Sequence, residues 1–81
     1  MIKLINSREF GQNIQKIRLS RGLTQEQTVA GLQLLGSPIS RSTYSLIETG
    51  KGNVFVSDLV GLKKLFNVDY DEFFKGIPTS R

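Results

Sequence analysis

The 81-residue sequence contains no cysteine and no histidine. Without cysteine the chain has neither a disulfide framework nor a thiolate metal site, which fits a reducing cytoplasm. Without histidine it lacks the usual general base, the usual metal ligand and any serine–histidine triad. The seven acidic residues are scattered and form no paired-carboxylate site. We therefore expect a protein that is not an enzyme and that binds no metal and no cofactor.

Long apolar runs are also missing. No stretch approaches the roughly 18 residues that indicate a membrane span, and the start of the chain lacks the apolar core and cleavage site of a signal peptide. A hydrophobic fraction of 38% is nevertheless too high for a disordered tail. The length allows one domain with one small core, and we expect that domain in the cytoplasm.

The net charge of +4 is unevenly distributed along the chain. Residues 1–57 carry seven basic and three acidic side chains, whereas residues 58–81 carry four of each. A positive field on one part of a protein is what a polyanion-binding surface requires. The charge pattern therefore favours a nucleic acid as partner.

Helix start and stop signals predict five short helices and no strands. Four starts combine an apolar residue with a following capping side chain, and the fourth helix begins between Phe55 and Ser57. Glycines at positions 22 and 50 are natural stops, and Pro38 separates the second helix from the third. The four capping residues are Asn6, Thr24, Ser40 and Asp69, with Glu9, Gln27 and Glu72 completing capping boxes at the first, second and fifth helices.

The third helix, residues 40–49, has unusual proportions. Tyr44 and Ile47 give it one narrow apolar face. The opposite face carries small hydrogen-bonding side chains, one guanidinium and one short apolar group, where an ordinary solvated face would carry Lys and Glu pairs. Such a face suits close approach to another surface, and we interpret this helix as one that enters the major groove of DNA. The residues of that face are Arg41, Ser42, Ser45, Leu46 and Thr49.

Three segments resemble the XRE/Cro/C1 helix-turn-helix family, which includes the DNA-binding domains of lambdoid phage repressors. They are IRLSRGLTQEQ (17–27), ISRSTYSLIETGK (39–51) and NVDYDEFF (67–74). The matches fall in order and at family-like spacing, over residues 7–75. One departure is the turn at residues 33–38, which is several residues longer than is typical. The resemblance implies an all-α, compact five-helix, lambda-repressor-like domain at residues 6–76, with an N-terminal arm at 1–5 and a tail at 77–81.

The resemblance also implies roles for individual residues. Gln25 matches a glutamine that hydrogen-bonds a phosphate and braces the recognition helix, and Arg18 with Glu48 matches a buried ion pair between the first and third helices. The positions that face base edges are Arg41, Ser42, Ser45 and Leu46. The positions that contact the DNA backbone are Gln25, Thr43, Thr49 and Lys51.

The residues themselves leave alternatives open. Arg41 can contact either a guanine or a phosphate, since a cation at a helix N-terminus is a poor partner for the helix dipole. Leu46 can contact a thymine methyl group, join the core or remain exposed. Tyr44 belongs to the core, with a hydroxyl that can still reach a phosphate if it lies at the surface.

We therefore expect a sequence-specific regulator, favouring a repressor, that binds double-stranded DNA as a homodimer. Candidate dimer contacts are Phe73, Phe74, Ile77 and residues 1–5, although the phenylalanines can instead close the core. Two other hypotheses remain: an antitoxin-type regulator that also binds a toxin protein, and a protein-interaction module that does not bind DNA.

Overall fold

A computed structural model of the chain describes the backbone of residues 3–4 and the whole of residues 7–77. These ranges contain four α-helices, one 3₁₀ helix and two strands of two residues each. The elements are β1 (Lys3–Leu4), α1 (Arg8–Ser20), α2 (Gln25–Leu34), α3 (Arg41–Glu48), β2 (Val54–Phe55), α4 (Val56–Phe66) and the 3₁₀ helix (Tyr70–Phe74). The helical class is confirmed, but the fifth helix is a short 3₁₀ helix and not an α-helix.

The prediction of a fold without strands is wrong. β1 pairs antiparallel with β2, so that Lys3 lies opposite Phe55 and Leu4 lies opposite Val54. The pairing gives hydrogen-bond partners to the backbone of an extended segment directly before α4, and Val54 of this segment is buried. A ladder of two residues is too short to show the alternating pattern by which a strand is predicted.

The starts of α2, α3 and α4 lie where the sequence places them. Thr24 and Gln27 form the expected capping box, with the Thr24 hydroxyl accepting from Gln27 N at 3.0 Å and Gln27 Oε1 accepting from Thr24 N at 2.9 Å. Ser40 caps α3 by accepting from Thr43 N at 3.2 Å. α4 begins at Val56, inside the expected range.

The predicted cap at Asn6 is wrong by one residue. Ser7 is the N-cap of α1, and its Oγ accepts a hydrogen bond from Phe10 N at 3.2 Å. Glu9 therefore lies one position too early for a capping box, and its carboxylate accepts from Ser7 Oγ at 3.1 Å instead. Neighbouring Asn and Ser residues have similar capping strength, so the sequence does not choose between them. Asn6 itself lies outside the described residues.

The last short helix also begins at its predicted residue but without the predicted cap. Asp69 precedes the 3₁₀ helix and its side chain makes no capping bond. Glu72 N instead donates to the Asp69 carbonyl oxygen at 3.1 Å. The backbone closes this turn by itself, as is usual for a 3₁₀ helix.

α3 is held between α1 and α2, and it packs against both of them. Its end is closed by Gly50 at φ 79°, followed by a bond from Lys51 N to Leu46 O at 2.9 Å. α1 approaches α3 at Gly11, which has no side chain to separate the two backbones. The buried apolar residues around them are Phe10, Ile14, Val29, Leu32, Ile39, Tyr44, Ile47, Val54, Leu59, Leu62, Phe66 and Phe73.

Membrane-spanning helices are absent from the described part of the chain. None of its helices combines the length and the apolar character that crossing a bilayer requires.

Candidate nucleic-acid interface

The two sides of α3 differ in burial. Tyr44, Ile47 and Glu48 are buried, whereas the side that the sequence assigns to DNA faces solvent. We call Arg41, Ser42, Ser45 and Leu46 the recognition edge; Ser45 is half-buried and the other three are exposed. α3 therefore presents a short edge from a helix whose other side is fixed in the core.

Tyr44 belongs entirely to the core. Its side chain is fully buried, and its hydroxyl lies beside the Glu48 carboxylate without good hydrogen-bond geometry. Burial and the neighbouring carboxylate both raise the pKa of Tyr44, so the phenol stays neutral. The hydroxyl does not reach the surface and cannot contact a phosphate in this conformation.

A buried ion pair joins α1 to α3. Arg18 Nε donates to Glu48 Oε2 at 2.6 Å and Arg18 Nη2 donates to Glu48 Oε1 at 3.1 Å, with side chains only 9% and 2% exposed. Burial by itself would raise the pKa of Glu48, but hydrogen bonds from Arg18 and Gln25, together with the nearby Tyr44 hydroxyl, lower it below its usual value. Glu48 is therefore a charged, bidentate partner at neutral pH. Arg18 Nη1 also donates to Leu23 O at 2.8 Å, which extends the connection towards α2.

Gln25, the first residue of α2, connects this pair to the recognition edge. Its Nε2 donates to Glu48 Oε1 at 3.0 Å, and its Oε1 accepts from Arg41 Nε at 2.9 Å. The charges of the two partners fix which way the amide points, because the carboxylate needs a donor and the guanidinium needs an acceptor. Gln25 thus braces the start of α3, and its second Nε2 proton is free for a phosphate.

Arg41 has a further partner that the sequence analysis did not identify. Its Nη1 lies 2.5 Å from Glu26 Oε1 in an ion pair whose side chains are 53% and 74% exposed. The position of Glu26 in the first turn of α2 suits the helix dipole and by itself indicates no partner. The spacing of fifteen residues across a long turn gives no local signal for the pair.

The remaining members of the recognition edge differ in chemistry. Ser42 is exposed, and Ser45 lies one turn further along. Leu46 is 47% exposed, so it does not belong to the core. An exposed apolar side chain beside two hydroxyls offers hydrogen bonds and a methyl contact within one helix face.

The two threonines predicted to contact the DNA backbone are not equivalent. Thr43 is exposed, and its hydroxyl accepts a bond from Ser40 Oγ at 3.0 Å, which leaves its own proton available. Thr49 donates its proton to Leu46 O at 3.0 Å. A phosphate oxygen accepts but does not donate, so Thr49 must rotate before it can contact one, whereas Thr43 need not.

A polar cleft lies beside the end of α3. Lys51 is exposed there, and Arg8, Gln12 and Gln15 from α1 line the opposite side. These three residues were not predicted from the sequence, because only the approach of α1 to α3 brings them near Lys51. In the described part of the chain, no cluster of acidic residues is suited to hold a metal ion.

The candidate dimer residues separate into core and surface. Phe73 is fully buried and stacks on Phe10 with ring centroids 6.2 Å apart, so it closes the core. Phe74 is 47% exposed, although its ring centroid lies 5.2 Å from that of Phe10. Ile77 is partly buried against the same core. Of the N-terminal candidates, Met1, Ile2 and Ile5 lie outside the described residues.

The arrangement is similar to that of known proteins. The sequence profile described as "Helix-turn-helix" matches residues 14–73. The HTH-type transcriptional activator BcrR of Enterococcus faecalis is 35% identical over 68 residues, which are 84% of this chain and 31% of BcrR. The restriction-modification controller protein C.AhdI of Aeromonas hydrophila has a crystal structure that matches with a TM-score of 0.72 and 25% identity, over 83% of this chain and 94% of C.AhdI. The chain thus spans less than a third of the curated relative's length.

Proposed function

The chain belongs to the helix-turn-helix family, and we propose that it is a transcriptional regulator that binds double-stranded DNA at specific sequences. In this proposal α3 lies in the major groove and α2 crosses the phosphate backbone. The proposal covers activation as well as repression, because the matched relative is named an activator whereas the sequence analysis favoured a repressor.

The recognition edge is the observation that supports this function most strongly. The edge lies on a helix of eight residues whose opposite side is held by a buried ion pair and by apolar packing. Arg41 suits guanine O6 and N7, the serine hydroxyls suit several bases, and Leu46 suits a thymine methyl group. A rigid helix with such an edge can discriminate between base pairs.

The residues around the edge supply contacts to phosphate. Gln25 lies at the N-terminus of α2, which favours an anion, and Thr43 keeps a free donor. Lys51 and Arg8 bring two cations to the cleft at the other end of α3. Such contacts carry most of the affinity and no sequence information, so they complement the edge.

We further propose that the protein binds as a homodimer in the cytoplasm. Dimers of this architecture place two recognition helices about 34–36 Å apart, one turn of DNA. Phe74 is the exposed aromatic candidate for the dimer contact, with Ile77 beside it. The proposed DNA-binding domain is residues 6–76, with residues 1–5 and 77–81 as flanking segments.

A salt titration with a labelled random-sequence duplex tests DNA binding directly. Each phosphate contact, one by Arg8 and one by Lys51, releases about 0.9 counterions from the DNA. The affinity for the duplex is therefore expected to fall about tenfold per monomer between about 50 and 200 mM salt. Lys51→Gln is expected to flatten the slope by about 0.9 per monomer, whereas Lys64→Gln on α4 leaves it unchanged. If the wild-type protein does not bind at low salt, it is not a DNA-binding regulator.

A further inference from the structure

Glu26 is the charged neighbour of the recognition edge to which the proposed function gives no role. Its carboxylate holds Arg41 Nη1 at 2.5 Å, and Gln25 Oε1 holds Arg41 Nε at 2.9 Å. The guanidinium therefore has two anchors, both on the first turn of α2. A guanidinium has five N–H groups, so three remain, shared between Nη1 and Nη2.

We propose that Glu26 is a specificity-determining residue that acts through Arg41, an inference that rests on the proposed function. Glu26 fixes the guanidinium and competes with phosphates for it. The remaining donors are carried by Nη1 and Nη2, two nitrogens that can face O6 and N7 of one guanine. The anchored Arg41 is thereby prepared for a base and restrained from binding phosphate.

The sign of the charge explains why the restraint is selective. A phosphate that approaches Arg41 also approaches the Glu26 carboxylate and is repelled by it, whereas a guanine edge has no net charge. A repulsive element that acts against the wrong partner is a common source of specificity. Because the pair is exposed, its contribution to an equilibrium is limited to about 1.4- to fivefold, which biases Arg41 without blocking it.

An alternative role for Glu26 is to interact with the dipole of α2, since an acid in the first turn is favourable there. That role would change the stability of α2 and would leave DNA discrimination unaffected. The two roles are therefore separated by a binding measurement, and thermal unfolding of each variant shows that the fold is retained.

The experiment compares Glu26→Gln with Asp71→Asn, which makes the same change in net charge. Asp71 is exposed on the 3₁₀ helix, which packs against α1. Dissociation constants are measured by fluorescence anisotropy for a random duplex and for a site selected by the wild type from a random pool. Both substitutions are repeated in an Arg41→Ala background.

Beyond the effect of Asp71→Asn, Glu26→Gln is expected to tighten random-duplex binding about 1.4- to fivefold. The salt slope of the Glu26→Gln variant on random DNA is expected to steepen by about 0.9 per monomer, because each Arg41 gains a phosphate. Affinity for the selected site does not rise in proportion, so the ratio of selected to random affinity falls. In the Arg41→Ala background Glu26→Gln is expected to leave the ratio of selected to random affinity unchanged, because the side chain through which Glu26 acts is gone.

Two results would overturn the inference while leaving the proposed function intact. One is a ratio of selected to random affinity that Glu26→Gln leaves unchanged. The other is an equal effect of Glu26→Gln and Asp71→Asn on random-duplex affinity in the protein that retains Arg41. Absence of duplex binding by the wild type at low salt is a different outcome, because it defeats the proposed function and the inference with it.

Discussion

Arg18→Met is expected to destabilise the protein by about 3–5 kcal/mol, because it leaves the buried Glu48 carboxylate without its charged partner. Methionine retains an apolar chain that fills much of the same space, so the loss is chiefly electrostatic. Each kilocalorie corresponds to about 4–8 °C in a domain of this size. The thermal midpoint, followed by circular dichroism, is therefore expected to fall by at least about 12 °C.

Lys64→Met is the matched control for this substitution. Lys64 is exposed on α4, and removal of an exposed charge usually changes stability by less than about 0.5 kcal/mol. A similar midpoint for Arg18→Met and Lys64→Met would show that the pair between α1 and α3 does not stabilise the fold.

Gly11→Ala is expected to have the second large effect. A Cβ at position 11 would collide with the carbonyl oxygen of Ile47 and lie 2.7 Å from that of Glu48. Both obstacles are backbone, so relief requires α1 and α3 to move apart. Overpacking of this kind costs about 1–3 kcal/mol and occasionally more, and we expect a value near the upper limit from the urea midpoint.

Gly61→Ala is the control, since it also adds a methyl group to a helical glycine. A Cβ there would meet only the flexible Leu32 Cδ2, at 3.0 Å, while alanine gains about 1 kcal/mol of helix propensity. We therefore expect Gly61→Ala to be close to neutral. Equal loss from both substitutions would contradict the close approach of α1 to α3.

The helix order could be predicted from the sequence because its signals are local. The Thr24 and Ser40 side chains each bind a backbone N–H three residues further along the chain. Gly50 ends α3 because it readily adopts a left-handed conformation. The prediction of Asn6 as the first cap was wrong because the adjacent Ser7 caps a helix equally well. The pairing of β1 with β2 joins segments about fifty residues apart, and no local pattern encodes such a distance.

The features of the candidate site likewise separate into those that local sequence predicts and those that depend on contacts between distant segments. The two faces of α3 follow from helical periodicity, and Tyr44 with Ile47 is buried as that periodicity requires. The ion pair of Arg41 with Glu26 depends instead on how the long turn places α2 beside α3, so the sequence alone does not predict it. The cleft between Arg8 and Lys51 likewise depends on the approach of two helices that are distant in sequence.

The central claim is that the recognition edge contacts base edges in the major groove. It is tested most directly by measuring the affinity of the wild type and of Arg41→Ala for the selected duplex and for each of its single-base-pair variants. If Arg41 contacts a guanine, the variant protein loses about 1–3 kcal/mol of discrimination at one base pair and keeps its preferences elsewhere. Uniform weakening at every base pair would contradict the claim, because it is the result expected of a phosphate contact.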